Sequence, residues 1–410
     1  MMNKDKYIPQ GYKPSPLGII PEDWEVKRLE EVGSFSKGSG VPKDKIISEG
    51  HPCLTYGDLY TKYDFVIKNI KSFIDKETSK ESKEINAGDI CFAGSGETPE
   101  DIGKCAAYLE NCPAYAGGDI VILSPNNNIN SLWLSYLLNS DIGGKQRYKF
   151  AQGFSIVHIY PDNLKQIQIP VPPLPEQQRI VSVLSLWDTA IAKQTALIEK
   201  LTLRKRGLMQ QLLTGKKRLK GFCGEWERIK AGEIFKSISV KGNGSEVLLS
   251  ATQEHGVIPR DQLEGRVTMP TGDTNSFKLV EVGDFVISLR SFQGGLEYSE
   301  HRGIVSPAYT VLKPIIEIYK TFYRYYFKSA EFIGHLAIAV IGIRDGKQIS
   351  YDDFCFVKIP YPNIEEQKAI STVFLRADKE IEIQKQKLAA LQEQKKGLMQ
   401  VLLTGKRRIL

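Results

Sequence analysis

The residues most able to do chemistry in this sequence lie in polar, glycine-containing segments that could hydrogen-bond a nucleic acid. Arginine can fork onto guanine, glutamine can pair with adenine, and lysine, serine and backbone N–H groups can hold phosphates. A solvated turn is the commoner explanation of any single segment, so the hypothesis depends on their number. The candidate DNA contacts are Lys37, Ser39, Tyr56, Ser95, Arg147 and Lys149 in the first half of the chain and Arg290, Gln293, Arg302, Arg344 and Lys347 in the second.

Sequence motifs of catalysis are absent from this chain. It has no GxxxxGK[ST] phosphate loop and no [DNS]PP[YFW] segment of the kind found in amino-methyltransferases, and Gly94-Ser95-Gly96 lacks the third glycine of a dinucleotide site. Glu81-Ser82-Lys83 has a nuclease-like spacing but no upstream Pro-Asp partner, so a solvated charge run explains it better. The five histidines show no ligand pairing. We therefore expect no catalytic residue, no metal site and no cofactor in this chain.

Length and composition indicate a globular protein of at least two domains. Of 410 residues, 41% are hydrophobic and 25% are charged, and the formal net charge of +7 fits a nucleic-acid partner without demanding one. The six cysteines form no CxxC pair, which predicts buried free thiols in a reducing compartment. The N-terminus lacks the apolar core of a signal peptide and no apolar run approaches ~18 residues, so we expect a cytoplasmic protein without a membrane span.

An internal repeat indicates which elements position the candidate residues. Residues 169–219 and 359–409 align without a gap at an offset of 190 residues, and they share GLMQ and LLTGK. A match of this length is not chance, so the chain is a tandem duplication. The likeness continues more weakly outside the block, where PEDWE (21–25) resembles GEWE (224–227) and AGDI (87–90) resembles VGDF (282–285). Each half is therefore a globular segment followed by the shared block, and the globular segments differ far more.

The shared block has the pattern of a long helix of ~38 residues, or roughly 57 Å at 1.5 Å per residue. Pro175 and Glu176 suit a first turn, and Gly215 and Gly405 suit the position after a last turn. Apolar residues recur at coiled-coil spacing, interrupted at equivalent places by Gln194 and Lys205 in one helix and Gln384 and Lys395 in the other. An ordinary amphipathic helix on a globular core is the alternative. The apolar seam comprises Ile180, Leu184, Trp187, Ile191, Ile198, Leu201, Leu208 and Leu212, then Ile370, Phe374, Ala377, Ile381, Leu388, Leu391, Leu398 and Leu402.

Chain order then predicts the architecture. The first helix leaves one globular segment and arrives at the other, so a pair made with the second helix must be antiparallel, and the two chain ends should lie close together. The predicted fold is α/β: two globular mixed α/β domains separated by two long helices that form an antiparallel coiled coil, with an internal pseudo-two-fold repeat. We expect strands at 119–123, 284–289 and 309–312 and helices at 131–139 and 319–329. The expected divisions are an N-terminal arm (1–23), a first domain (24–172), a central helix (173–219), a second domain (220–362) and a distal helix (363–410).

Over essentially its whole length, the sequence resembles the specificity (S) subunits of type I restriction–modification systems. The most specific segments are PLPEQQRIV (173–181), IEEQKAIST (364–372) and the two GLMQ-x-LLTGK endings. The opening YKPSPLGIIPEDWEVKRLEEVG (12–33) is also similar to that family's N-terminus, as are YGDLYTKYDF (56–65) and GDFVISLRSFQGG (283–295) within the globular segments.

This resemblance implies that each globular segment is a target-recognition domain reading one half of a bipartite, asymmetric site in double-stranded DNA. It implies that the helices set the spacer between half-sites and dock two modification (M) subunits, and that restriction (R) subunits join through the complex. In that family M carries S-adenosylmethionine and methylates adenine, R translocates and cleaves DNA, and S does no chemistry and holds no cofactor. Asn363-Ile364-Glu365 stands where the first lead-in has Pro173-Leu174-Pro175, so the two docking sites need not be equal.

Other classes remain open from the sequence. An S-like subunit of a Type II-like methyltransferase–nuclease would share these features, and neighbouring genes would distinguish it. A coiled-coil adaptor with protein-binding heads would bind DNA weakly and without salt dependence. An enzyme with an unrecognised site is the least supported class.

Overall fold

The structure, a computed structural model, describes residues 8–153, 156–263, 274–339 and 349–409. The chain folds into two compact units: unit 1 contains Met1–Lys193 and Leu388–Leu410, and unit 2 contains Gln194–Lys387. Both divisions fall inside the long helices rather than between a helix and a globular segment. Each unit therefore holds one globular head and one end of each long helix.

Unit 1 contains a five-stranded sheet in the order β4-β13-β9-β11-β6, a four-stranded sheet in the order β7-β5-β12-β8, and three strand pairs, β1-β2, β10-β14 and β15-β3. Its strands are β1 (Tyr12–Ser15), β2 (Gly18–Pro21), β3 (Glu25–Arg28), β4 (Gly33–Lys37), β5 (His51–Leu54), β6 (Val66–Ile67), β7 (Phe73–Ile74), β8 (Lys83–Ile85), β9 (Ile90–Ala93), β10 (Ser95–Gly96), β11 (Cys105–Tyr108), β12 (Ala114–Ala116), β13 (Ile120–Pro125), β14 (Val157–His158) and β15 (Gln168–Val171). Its helices are α1 (Leu29–Val32), α2 (Tyr56–Thr61), α3 (Lys76–Glu81), α4 (Ser131–Leu138), α5 (Asp141–Lys149), α6 (Pro161–Lys165) and the start of α7 (Leu174–Leu212), with a 3₁₀ turn at Lys43–Lys45.

Unit 2 contains a four-stranded sheet in the order β17-β24-β21-β22 and the strand pairs β16-β25, β18-β19 and β20-β23. Its strands are β16 (Glu227–Lys230), β17 (Phe235–Ile238), β18 (Leu249–Thr252), β19 (Gly256–Pro259), β20 (Lys278–Val280), β21 (Phe285–Ile287), β22 (Glu297–Tyr298), β23 (Gly303–Val305), β24 (Thr310–Pro314) and β25 (Lys358–Tyr361). Its helices are α8 (Ala231–Ile234), α9 (Ser291–Gly294), α10 (Lys320–Tyr326), α11 (Ala330–Ala339), α12 (Tyr351–Phe356) and the start of α13 (Ile364–Leu402), with a 3₁₀ turn at Arg260–Gln262.

The two units share one framework, which confirms the predicted duplication. Unit 1 runs β3-α1-β4, then β9 and β13, then α4-α5-α6-β15 into α7, and unit 2 runs β16-α8-β17, then β21 and β24, then α10-α11-α12-β25 into α13. The predicted strands and helices of the globular segments all occur, with ends that differ by a few residues. The units differ in the segment between β4 and β9 of unit 1 and the segment between β17 and β21 of unit 2. The strands in these two segments pair in different orders.

The long helices are each 39 residues, close to the predicted length. Gly215 and Gly405 have positive φ angles of 73° and 71°, as expected of residues that follow a last helical turn. The second helix begins differently from the first, because the Asn363 side chain accepts a 2.8 Å hydrogen bond from the Glu366 N–H and caps α13. Asn363 stands at the position of Pro173 in the first lead-in, and its side chain caps the second helix where the first helix has a proline.

The long helices pack antiparallel within each unit, against the head and against each other. In unit 1, Ile180 and Leu184 of α7 join Leu402, the last residue of α13, and the following Leu403 in the cluster that contains Trp24 and Trp133. In unit 2, Leu212 and Leu213 join Ile370 and Phe374 in a cluster with the aromatic core of the head. Every predicted seam position is buried or half-buried, whereas neighbours such as Leu186 and Leu203 are exposed. Fully burying one such side chain stabilises a fold by about 1.5–3 kcal/mol.

All six cysteines are free thiols. Cys53, Cys91 and Cys105 lie in core strands and are buried as predicted. Cys355, in α12, is half-buried, whereas Cys112 and Cys223 lie in surface loops and are exposed. In the part of the chain that the structure describes, no helix is both long enough and apolar enough to cross a membrane.

Candidate nucleic-acid interface

The loop between β21 and β22 (residues 288–296, hereafter recognition loop 2) carries two predicted contacts on its surface. Arg290 and Gln293 are both exposed, at the start and in the middle of the short helix α9. Arg290 lines a cleft together with Gln253, His255, Gln262 and Ser288. The cleft thus gathers an arginine, two amide side chains and an imidazole, all able to hydrogen-bond base edges.

Recognition loop 2 is held in one conformation by hydrogen bonds beneath its exposed residues. The Ser291 hydroxyl accepts a 2.8 Å bond from the Ser288 N–H, and the Ser288 hydroxyl accepts a 3.3 Å bond from the Arg290 N–H. Both serines are buried. A loop fixed in this way presents its surface side chains with little loss of conformational entropy on binding.

The other second-half candidates have different surroundings. Arg302 is exposed, but it already binds two carboxylates, with Nε 3.1 Å from Glu246 and Nη1 3.0 Å from Glu281. A phosphate would have to compete with these ion pairs. Arg344 and Lys347 lie outside the described residues.

In unit 1, four of the six predicted contacts are exposed: Lys37 at the end of β4, Ser39, Tyr56 at the start of α2, and Lys149 at the end of α5. The Ser39 hydroxyl donates a 3.2 Å bond to the Glu81 carbonyl, so the turn that carries it is tied to α3. Tyr56 keeps 40% of its surface exposed, which leaves its ring available for stacking.

Arg147 and Ser95 do not lie on the surface, and the prediction that they contact DNA needs correction. Arg147 is only 5% exposed, its Nε donates a 3.0 Å bond to the Ile102 carbonyl, and its Nη1 donates to the Leu138 carbonyl. Burial lowers the pKa of this guanidinium. Ser95 is 5% exposed and its hydroxyl lies 3.0 Å from His158 Nδ1. Both residues have structural partners inside unit 1.

The structure also adds residues that the sequence did not single out. His158 and Tyr160 stack with ring centroids 6.2 Å apart, and Tyr160 and Tyr148 are about half exposed. In unit 2, Gln253 and His255 enter the cleft beside Arg290 from a different hairpin. No local pattern could have revealed them, because segments distant in the sequence bring them to these positions.

A second set of residues, made of a carboxylate, a tryptophan and an arginine in each unit, binds the first turn of each long helix to its head. In unit 1, Glu176 is 3% exposed and accepts a 2.9 Å bond from the Trp24 indole and two bonds from Arg408, which also binds Asp23. In unit 2, Glu366 is fully buried and accepts the same bonds from Trp226 and Arg218. We call these the helix-base networks.

The helix-base networks explain the repeated sequence motifs. The carboxylates come from the PEQQ and EEQK segments, the arginines from the basic ends of the shared blocks, and the tryptophans from the PEDWE and GEWE segments. Hydrogen bonds from Arg408 lower the pKa of Asp23, and those to Glu176 and Asp23 raise the pKa of Arg408. The Tyr12 hydroxyl donates a 3.0 Å bond to the Gly405 carbonyl, so the N-terminal arm meets the end of α13 as predicted.

The residues that follow the two carboxylates also have matching roles. The Gln177 side chain accepts a 2.8 Å bond from the Asn130 N–H, and Gln367 accepts a 2.8 Å bond from the Tyr319 N–H. Each glutamine also donates to a carbonyl of its own proline lead-in. The start of each long helix is therefore bonded to the start of a helix in its head.

The polar interruptions of the seam are paired. Lys395 binds Asp188, which also accepts a bond from the Tyr136 hydroxyl, and Lys205 binds Asp378, which accepts a 2.6 Å bond from the Tyr325 hydroxyl. We call these the lysine triads. Burial lowers the pKa of Lys395, an effect that Asp188 partly offsets. The two remaining interruptions, Gln194 of α7 and Gln384 of α13, pair with each other: Gln194 Nε2 donates a 2.8 Å bond to Gln384 Oε1.

Among the described residues, no three His, Cys, Asp or Glu side chains are grouped so that they could hold a metal ion. The candidate surfaces described above offer side chains for hydrogen bonding, ion pairing and stacking.

Comparisons with known proteins agree with this geometry. The sequence model of the type I restriction modification DNA specificity domain matches the chain twice, at residues 21–203 and 224–393. The type I restriction enzyme MjaVIII specificity subunit of Methanocaldococcus jannaschii is 28% identical over 421 residues, covering 95% of this chain and 94% of that protein.

Two solved structures are similar in fold. The S subunit of a type I restriction–modification system from M. genitalium aligns over 93% of this chain and 96% of its own, with a TM-score of 0.54 and 17% identity. A chain from a structure concerned with complex assembly and conformational transition of the type I R-M system aligns over 95% and 99%, with a TM-score of 0.61 and 19% identity.

Proposed function

The chain belongs to the family of type I restriction–modification DNA specificity subunits, and from that premise we propose how its two units divide the work. Each head reads one half of a bipartite, asymmetric sequence in double-stranded DNA. The long helices set the spacer between the half-sites and dock two methyltransferase subunits, and restriction subunits join through that complex.

The observation that carries this proposal is the contrast between a repeated framework and unlike recognition surfaces. The helix-base networks and lysine triads occur in both units with the same residue types. The exposed candidates differ: Lys37, Ser39, Tyr56 and Lys149 in unit 1, and Arg290, Gln293 and the ion-paired Arg302 in unit 2. Two different surfaces on one framework suit a site whose halves differ, and linking them multiplies their selectivity.

The chain itself is proposed to do no chemistry and to need no cofactor. Its polar clusters are occupied by ion pairs and hydrogen bonds that stabilise the helices, and exposed apolar residues on α7 and α13, such as Leu186, Leu203 and Ile383, support docking of other subunits there.

Mapping modified bases tests the proposal. The chain is co-expressed with a methyltransferase subunit from the same type of system, and methylated adenines are located in the host DNA. We expect one bipartite motif in the co-expressing strain and none with either protein alone. Methylation by the purified chain alone would refute the non-catalytic role, and a continuous or symmetric motif would refute the division of labour.

DNA binding by the complex also separates this function from that of a protein-binding adaptor. Phosphate contacts release counterions, so log K should fall linearly with log salt concentration, with a slope of about −0.9 per phosphate contacted. A slope near zero would favour the adaptor.

A further inference from the structure

Below recognition loop 2, an ion pair connects the loop to the helical layer of unit 2. Lys328 follows α10, and its ammonium lies 2.7 Å from both carboxylate oxygens of Glu297, the first residue of β22. Glu297 is 1% exposed and the Lys328 side chain 27% exposed. Burial raises the pKa of the Glu297 carboxyl, so the carboxylate is retained against a desolvation cost.

The same ammonium also binds the backbone of two neighbouring segments. It donates a 2.9 Å bond to the Gly294 carbonyl, in the loop, and a 3.3 Å bond to the Gln253 carbonyl, on the neighbouring hairpin. These two carbonyls belong to the segments that present Gln293 and Gln253 to solvent. One cation therefore sets the distance between two strips of backbone that carry candidate base contacts.

The end of the loop also packs closely on the residue that precedes Lys328. Gly295 has φ +76°, and a Cβ at this position would lie 1.8 Å from the Phe327 carbonyl oxygen, so the backbone packs directly on the residue before Lys328. In unit 1 a buried cation of the head likewise binds a loop carbonyl, since the Arg147 guanidinium of α5 donates to the Ile102 carbonyl between β10 and β11.

We propose that Lys328, paired with Glu297, is a positioning residue for sequence discrimination by the second head. It touches no DNA and acts by holding recognition loop 2 and the Gln253 turn at the separation that the half-site requires. This inference rests on the proposed function, because it assumes that the exposed face of the loop reads bases.

The test uses the full chain in its complex with a methyltransferase subunit, with methylation measured across all single-mismatch variants of the target. Lys328→Met/Glu297→Gln removes both charges at similar side-chain size, so that no buried carboxylate is left unpaired, and Lys328→Arg retains the ion pair. The matched control, Arg218→Met/Glu366→Gln, removes another buried ion pair of the same unit that does not contact the loop. Replacing residues 220–362 by those of another family member identifies the half-site that the second head reads.

We expect Lys328→Met/Glu297→Gln to reduce discrimination against mismatches in that half-site by about tenfold, the value of one good base contact, with the other half-site unchanged. Lys328→Arg should preserve most of the discrimination. The control should reduce methylation of all sites together and keep the mismatch ratios of the wild type.

Unchanged mismatch ratios, equal loss in both half-sites, or the same loss in the control would overturn the positioning role. Absence of any bipartite motif with the wild-type chain would instead overturn the proposed function, so the two failures are distinguishable.

Discussion

The lysine triads allow a sharp test of how the long helices are stabilised, through Asp188→Asn. This change keeps the side-chain shape and removes the carboxylate that binds Lys395, whose side chain is only 7% exposed. The ammonium would remain between the ring of Phe65, 3.9 Å from its centroid, and that of Tyr136, 5.0 Å away. These rings attract a cation but do not replace an anion.

The magnitude follows from the burial of the two partners. Removing one partner of a fully buried pair costs about 3–5 kcal/mol. Asp188 keeps 38% of its side chain exposed, so water already screens the pair and the expected loss is reduced to about 1–3 kcal/mol. The matched change in the other unit, Asp378→Asn, should cost less than about 1 kcal/mol, because Lys205 is 22% exposed against 7% for Lys395.

The assay is urea unfolding of the full chain, followed by tryptophan fluorescence for unit 1, which contains three of the four tryptophans, and by hydrogen exchange for each unit. The sign of the pH dependence is also defined. Burial lowers the folded-state pKa of Lys395 and Asp188 partly restores it, so Asp188→Asn should lower that pKa further. The proton excess of the unfolded state is then larger in the variant than in the wild type, and the deficit of Asp188→Asn should shrink as pH rises. Adding Lys395→Met should recover at least half of the loss.

Equal losses for Asp188→Asn and Asp378→Asn would refute the burial argument. A deficit that widens at alkaline pH would show that the cost does not come from an unpaired ammonium.

Three further predictions follow from the backbone, the thiols and the helices. Gly405→Ala should destabilise the chain by about 1 kcal/mol or more beyond the loss caused by Gly215→Ala. At position 405 the added Cβ would lie 2.5 Å from Pro21, whereas at position 215 it would lie 3.1 Å from the ring of Trp226. Thermal unfolding of the two variants measures the difference. Thiol titration of the native chain should label Cys112 and Cys223 rapidly and the three buried cysteines only after unfolding, and rapid labelling of all six would contradict the core. Inserting one heptad into both long helices should lengthen the DNA spacer by about three base pairs, and an unchanged spacer in an active complex would exclude a ruler role.

The parts of the fold that were predictable from sequence are those with a period or a repeat. The long helices and their seam follow from spacing that continues over about nine turns, and the duplication follows from an ungapped match. The polar interruptions were located correctly, but their partners were not predictable: Asp188 and Asp378 lie outside the seam, and Tyr136 and Tyr325 come from the heads.

Recognition surfaces were harder to predict, because residue type does not determine exposure. Arg147 has the chemistry of a DNA contact, yet it lies on the face of α5 that packs on the loop before β11, and its donors bind carbonyls. Gln253 and His255 were missed because the turn between β18 and β19 meets recognition loop 2 only in the folded unit. In both examples, exposure of the side chain depends on which distant segments pack together, and a single sequence does not reveal that packing.

The discontinuity of unit 1 has a consequence for synthesis on the ribosome. Unit 2 is one continuous stretch, complete once Lys387 has emerged, whereas the core of unit 1 includes Met399, Leu402 and Leu403 from the far end of the chain. At a translation rate of ~5–20 residues per second, the first head waits about 10–40 s for these side chains, with the apolar face of α7 uncovered. The first head to be translated is therefore the last to be completed. A premature stop codon after residue 387 would damage the head farthest from it in sequence and spare the nearer one.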